Sequence, residues 1–135
     1  MITTRYELRV RYAETDQIGF AHHSRYLEWF ECGRSDMMRR LGYPYGVMEE
    51  EGVLLPLVET GCHYHLPAKY DELLTIVTEL RRIPRATIGL DYQILRSADK
   101  KLLADGFTVH AFVNKSGRAV KPSKKFLGIV EPYFK

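Results

Sequence analysis

Between Asp16 and His23 the chain holds a carboxylate, a glycine and two adjacent histidines, in the order Asp16-Gln17-Ile18-Gly19-Phe20-Ala21-His22-His23. A carboxylate can attack an electrophilic carbon or take a proton from water, and a histidine can move a proton or position a substrate. The stretch lies where an alternating strand pattern stops, at Tyr12, and a helical pattern starts, near Ser24. A helix start leaves backbone N–H groups without partners and carries partial positive charge, so it can hold a developing oxyanion. A carboxylate one loop away from such an end can act as base or nucleophile. The plainer reading is a connecting loop in which Asp16 caps or turns and Gly19 supplies a positive φ.

The elements around this loop are legible from periodicity. Thr4 to Tyr12 alternates, with Tyr6, Leu8, Val10 and Tyr12 on one face and Arg5, Glu7, Arg9 and Arg11 on the other, which predicts a half-buried strand. From Ser24 to Leu41, Tyr26, Phe30, Gly33, Met37 and Leu41 recur at helical spacing, widened by Leu27 and Trp29. Glu28 and Glu31 sit toward the start of that helix and Arg34, Arg39 and Arg40 toward its end, as its dipole favours. Gly42 and Pro44 stop it. A short helix follows at 45–51, then an irregular strand at 53–66 with Pro56 and Gly61 marking bulges or an edge. Three alternating strands come next. Their expected inner faces are Leu74, Ile76, Thr78 and Leu80; Ile88, Leu90, Tyr92 and Ile94; and Phe107, Val109, Ala111 and Val113. A short terminal element begins near Lys121. One long helix with about five strands, four of them in succession, predicts an α+β layer with an antiparallel sheet in a single domain, 1–135.

The whole stretch Tyr12-x-Glu14-Thr15-Asp16-x-x-Gly19-x-x-x-His23-x-x-Tyr26-Leu27-x-Trp29-Phe30-Glu31 resembles the signature of the 4-hydroxybenzoyl-CoA thioesterase class of hotdog-fold proteins, and most closely the YbgC-like acyl-CoA thioesterases. The likeness extends to Pro67-Ala68-Lys69-Tyr70-Asp71-Glu72 and the strands after it. It implies a hotdog fold, a five-stranded antiparallel sheet wrapped around one long central helix. It also implies hydrolysis of an acyl-CoA to a carboxylic acid and free coenzyme A, with Asp16 as the catalytic carboxylate. A backbone N–H near His23 would polarise the thioester carbonyl. Gly19, His22 and Tyr26 fall at substrate-binding positions, His23 is a second candidate catalytic residue, and Arg82, Arg85 and Thr87 lie where similar enzymes meet the nucleotide. Many relatives carry Tyr-His where this chain has His22-His23. Coenzyme A is part of the substrate, and no cofactor or metal is implied. The alternatives are a non-catalytic acyl-CoA-binding hotdog module and a hotdog dehydratase or hydratase.

Other constellations carry less. His63 and His65 share one face of a strand at a spacing zinc sites use, but Cys62 would point the other way. They read as polar positions on a partly solvated strand. Ser24 beside His23 makes a poor nucleophile–base pair, and no Gly-x-Ser-x-Gly elbow exists. Glu14 reads as a solvated loop residue. Cys32 and Cys62 read as reduced thiols, and no signal peptide or membrane-length apolar run is seen, which predicts a cytoplasmic protein. A net charge of +3 is too mild for a nucleic-acid binder. The apolar run Val53-Leu54-Leu55-Pro56-Leu57-Val58 at an expected sheet edge predicts a homodimer or homotetramer.

Overall fold

The computed structural model describes residues 1–135. Five strands form one antiparallel sheet: β1 (Ile2–Arg9), β2 (Leu57–Tyr64), β3 (Leu73–Leu80), β4 (Thr87–Arg96) and β5 (Leu102–Ala111), in the spatial order β1-β3-β4-β5-β2. One long helix, α1 (Arg25–Arg40), lies across a single face of it. Shorter helices α2 (Tyr45–Glu50) and α3 (Lys124–Val130) complete the layer. This is the hotdog arrangement, an α+β fold. No helix is long and apolar enough to cross a membrane.

The inner face of α1 is Tyr26, Trp29, Phe30, Gly33 and Met37, all buried. Phe30 stacks flat on Tyr92 of β4, with centroids 4.4 Å apart and planes 10° from parallel. Gly33 marks the closest approach of helix to sheet: a Cβ there would lie 2.4 Å from Thr78 Oγ1 and 2.8 Å from Ile76 Cγ2. The expected inner faces of β3 and β4 are as the alternation requires, with Leu74, Ile76, Thr78, Leu80, Ile88, Leu90, Tyr92 and Ile94 all buried.

Three expectations are corrected. β1 ends at Arg9, and Tyr12 opens a 3-10 turn (Tyr12–Glu14) with its ring 76% exposed. The physical reason is Glu14, whose Oε1 accepts the N–H of Arg11 at 2.7 Å and folds the chain back on itself. In β5 the buried phase is the opposite of the apolar one: Ala104, Thr108 and His110 face α1, while Phe107 and Val109 lie on the outer face. Thr108 and His110 tolerate burial because both are hydrogen-bonded. Tyr92 Oη and Thr108 Oγ1 are 2.7 Å apart, and His110 Nδ1–H donates to Leu55 O at 3.1 Å. The strand expected over 53–66 is shorter, with a register shift between Leu57 and Glu59 just after Pro56. β2 pairs only with β5, so its other edge is open, and Leu57 and Val58 there are 50% and 58% exposed.

Candidate active site

Asp16, His22 and His23 line one cavity of about 390 Å³ at the start of α1, together with Tyr26, Phe20, Ala21 and the end of β2. The loop that carries them is built by backbone bonds. Asp16 N–H donates to Phe20 O at 2.8 Å, and Gly19 N–H donates to Asp16 O at 3.0 Å. Gly19 sits at φ +85°, a conformation that other residues rarely adopt, and its carbonyl accepts from Tyr70 N–H. It therefore shapes the turn rather than lining the cavity. Asp16 Oδ1 accepts two N–H groups, from Ile18 at 2.9 Å and Phe20 at 3.3 Å. Those bonds orient the carboxylate and leave Oδ2 without a partner.

The N–H groups of the helix start can be followed one by one. Ala21 donates to Ala68 O, His22 to Glu14 O, Arg25 to His22 O and Tyr26 to His23 O. Ser24 N–H donates to the His22 ring, at Nδ1, over 3.2 Å. From Ile18 to Tyr26, the backbone N–H of His23 alone lacks a partner. Ser24, at the N-terminal end of α1, makes no side-chain cap bond, and its Oγ lies 2.8 Å from His22 Nδ1.

Glu14 corrects the reading of a solvated loop residue: it is only 5% exposed. Its Oε2 accepts the indole N–H of Trp29 at 3.0 Å, while Oε1 takes the Arg11 N–H and lies 3.5 Å from the Arg11 guanidinium. A buried indole N–H needs an acceptor, and the need of Trp29 was the signal in the sequence that could have revealed Glu14. Hydrogen bonds to a charged group contribute about 1.5–3 kcal/mol each, so Glu14 ties the Asp16 loop firmly to α1. Tyr26, in the first turn of the helix, accepts Ala68 N–H at 3.2 Å through its hydroxyl. Desolvation raises the pKa of that phenol, so it stays neutral. Tyr64, Leu66 and Pro67 also border the cavity and were not singled out in the sequence. Tyr64 Oη donates to His23 O at 3.2 Å, and its edge meets the Tyr26 ring.

Arg82, Arg85 and Thr87 lie elsewhere. They border a larger concavity of about 840 Å³ with Gly89, Asp91, Phe107 and Val109, on the sheet face turned away from α1. Arg81 in this group is paired with Glu79 at 2.8 Å and Asp91 at 3.7 Å, whereas Arg82 and Arg85 have no carboxylate partner. Within the chain, then, the sequence-derived site residues form two groups on opposite faces of the sheet. His63 and His65 both turn to Asp105, at 3.4 and 2.9 Å, and together hold its carboxyl below the usual range, His65 contributing most.

The fold is a hotdog sheet with a partly free carboxylate and an open N–H at the start of its central helix. The profile of the Thioesterase-like superfamily matches residues 10–128, and the chain belongs to that superfamily. It is a thioester hydrolase. The putative acyl-CoA thioesterase YneP of Bacillus subtilis is 42% identical over 58% of this chain and 56% of its own length; the chain thus matches little more than half of that relative. The acyl-CoA thioesterase YbgC of Haemophilus influenzae is 34% identical over 68% of each chain. The solved structure of the DHNA-CoA thioesterase from Staphylococcus aureus superposes with a TM-score of 0.90 at 27% identity, covering 99% of this chain and 90% of that one.

Proposed function

We propose that the chain hydrolyses acyl-CoA thioesters to a carboxylic acid and free coenzyme A, with Asp16 as the catalytic carboxylate and the His23 N–H as the oxyanion donor. The observation that carries the reading is the meeting, in one cavity, of a carboxylate with a free oxygen and the one unpartnered N–H of the helix start. A thioester carbonyl oxygen donated to by His23 N–H gains positive polarisation at its carbon from the helix start as well. Asp16 Oδ2 then attacks that carbon, expelling the CoA thiolate and leaving a mixed anhydride that water cleaves. Alternatively it takes a proton from a water that attacks in its place, the C–S bond breaks, and the proton passes to the departing CoA thiolate. Either route returns Asp16 to its starting state and needs no cofactor beyond the CoA of the substrate. His22, Tyr26 and, through the turn it shapes, Gly19 hold the substrate in position.

The unpaired Arg82 and Arg85, with Thr87, would meet the phosphates of the nucleotide. They lie on the opposite face of the sheet from Asp16, so one CoA ester that reaches both groups has to bridge subunits. The open β2 edge, with Leu57 and Val58 exposed, supports a homodimer joined strand to strand, or a tetramer of two such dimers. Two free cysteines accord with the cytoplasm. The function is tested by following thiol release from a panel of aromatic and aliphatic acyl-CoAs. Hydrolysis of at least one member with saturable kinetics is expected, and binding without thiol release would point to a non-catalytic module. Light scattering at micromolar concentration should give a dimer or tetramer; a fully active monomer would contradict the assembly.

A further inference from the structure

The ring of His22 is held at one nitrogen in a way that fixes where its proton sits. Its Nδ1 lies 3.2 Å from Ser24 N and 2.8 Å from Ser24 Oγ. A backbone amide can only donate, so Nδ1 must present its lone pair, and the serine hydroxyl donates to the same lone pair. The neutral ring therefore carries its hydrogen on Nε2, which has no partner within the protein. The His23 ring, tilted 34° with its centroid 4.0 Å away, restricts rotation of the His22 plane. Both rings line the cavity that holds Asp16. A base at this position would need an open lone pair, and the only one on the ring is occupied by Ser24.

We infer that His22 acts on the bound thioester as a hydrogen-bond donor through Nε2–H rather than as a base, and that Ser24 is the positioning residue that keeps it in that form. The inference rests on the thioesterase reading for its substrate, while the tautomer itself rests on geometry alone.

Two measurements on the full chain test it. The first is long-range proton–nitrogen NMR of protein with nitrogen-15-labelled histidine, without substrate, at pH 8, with the His22 signals assigned by their loss in His22→Gln. A proton on Nε2 is expected in wild type, with the tautomers mixing in Ser24→Ala and restored in Ser24→Thr. A proton on Nδ1 overturns the inference whether or not any acyl-CoA is hydrolysed. The second uses the best substrate of the wild-type enzyme, with folding checked by circular dichroism. His22→Gln, which keeps an N–H donor but is no base, should lose less than about tenfold in kcat, and His22→Leu about 10²-fold. Equal activity of the two variants, whether both low or both near wild type, overturns the donor role. Failure of wild type to release thiol from any acyl-CoA would instead count against the thioesterase reading and leave the NMR result to decide the tautomer.

Discussion

The open end of α1 and the inner face behind it contain the same kinds of groups in opposite conditions. At the open end Asp16 Oδ2, His22 Nε2 and the His23 N–H have no partner in the protein. On the inner face the buried His110 of β5, beside Arg34 of α1, has both nitrogens engaged. Nδ1–H donates to Leu55 O, and Nε2 accepts from Arg34 at 3.3 Å. Glu14, only two residues before Asp16, has both carboxylate oxygens bonded and its side chain buried. Residue type therefore does not separate Asp16 from Glu14 or His22 from His110; the hydrogen-bonding capacity each leaves unused does. Changes at the open end should cost turnover and spare the fold, and changes on the inner face should do the reverse.

Asp16→Asn gives the largest expected break. The amide oxygen can still accept the N–H groups of Ile18 and Phe20, so the loop should keep its shape. The nucleophile or base is lost, and kcat should fall by about 10²–10⁴-fold with little change in denaturation midpoint. Glu14→Ala should behave in the opposite sense. It strands the buried Trp29 N–H and the Arg11 N–H, which should lower stability by about 2–4 kcal/mol in urea unfolding. Where the variant is still folded, its kcat should stay far above that of Asp16→Asn.

Smaller effects sharpen the contrast. Replacing Arg82 and Arg85 together by Ala should raise KM for an acyl-CoA by roughly tenfold or more and leave a pantetheine thioester nearly unaffected. An equal rise for both esters would place the arginines in another role. For His110, burial is the first cause of a lowered pKa and the Arg34 charge the second, opposed by the bond to Leu55 O. The folded protein therefore keeps His110 neutral at a pH where the unfolded chain takes up a proton. Below about pH 6.5 the unfolded state binds more protons, so stability should fall as pH drops toward the lowered folded value. The loss is at most about 1.4 kcal/mol per pH unit, and a His110→Gln variant should show a correspondingly flatter stability profile.

Much of this arrangement was legible in the chain. The limits of α1, the inner faces of β3 and β4 and the clustering of Asp16, His22 and His23 all follow from spacing, because apolar side chains there lie on one face only. β5 was misread in phase because it carries apolar residues outward and polar ones inward. Thr108 and His110 are buried by bonds to Tyr92, Leu55 and Arg34, contributed by other elements, and periodicity within the strand cannot register them. Glu14 was missed for the same reason, since its partner Trp29 lies 15 residues away. Ser24 has the residue type of a helix cap but serves the His22 ring, because its backbone is already helical, at φ −64° and ψ −22°. The separation of Arg82, Arg85 and Thr87 from Asp16 depends on which sheet face each occupies, and that required the fold.

The central claim is that the open carboxylate and the open N–H act on one thioester carbonyl. The structure of Asp16→Asn with an unhydrolysed acyl-CoA bound tests it most directly, because the variant should retain substrate. The account expects the carbonyl oxygen about 3 Å from His23 N, with the carbonyl carbon facing the residue-16 side chain. A thioester bound elsewhere, or in this cavity with its carbonyl oxygen turned away from His23 N–H, would contradict it.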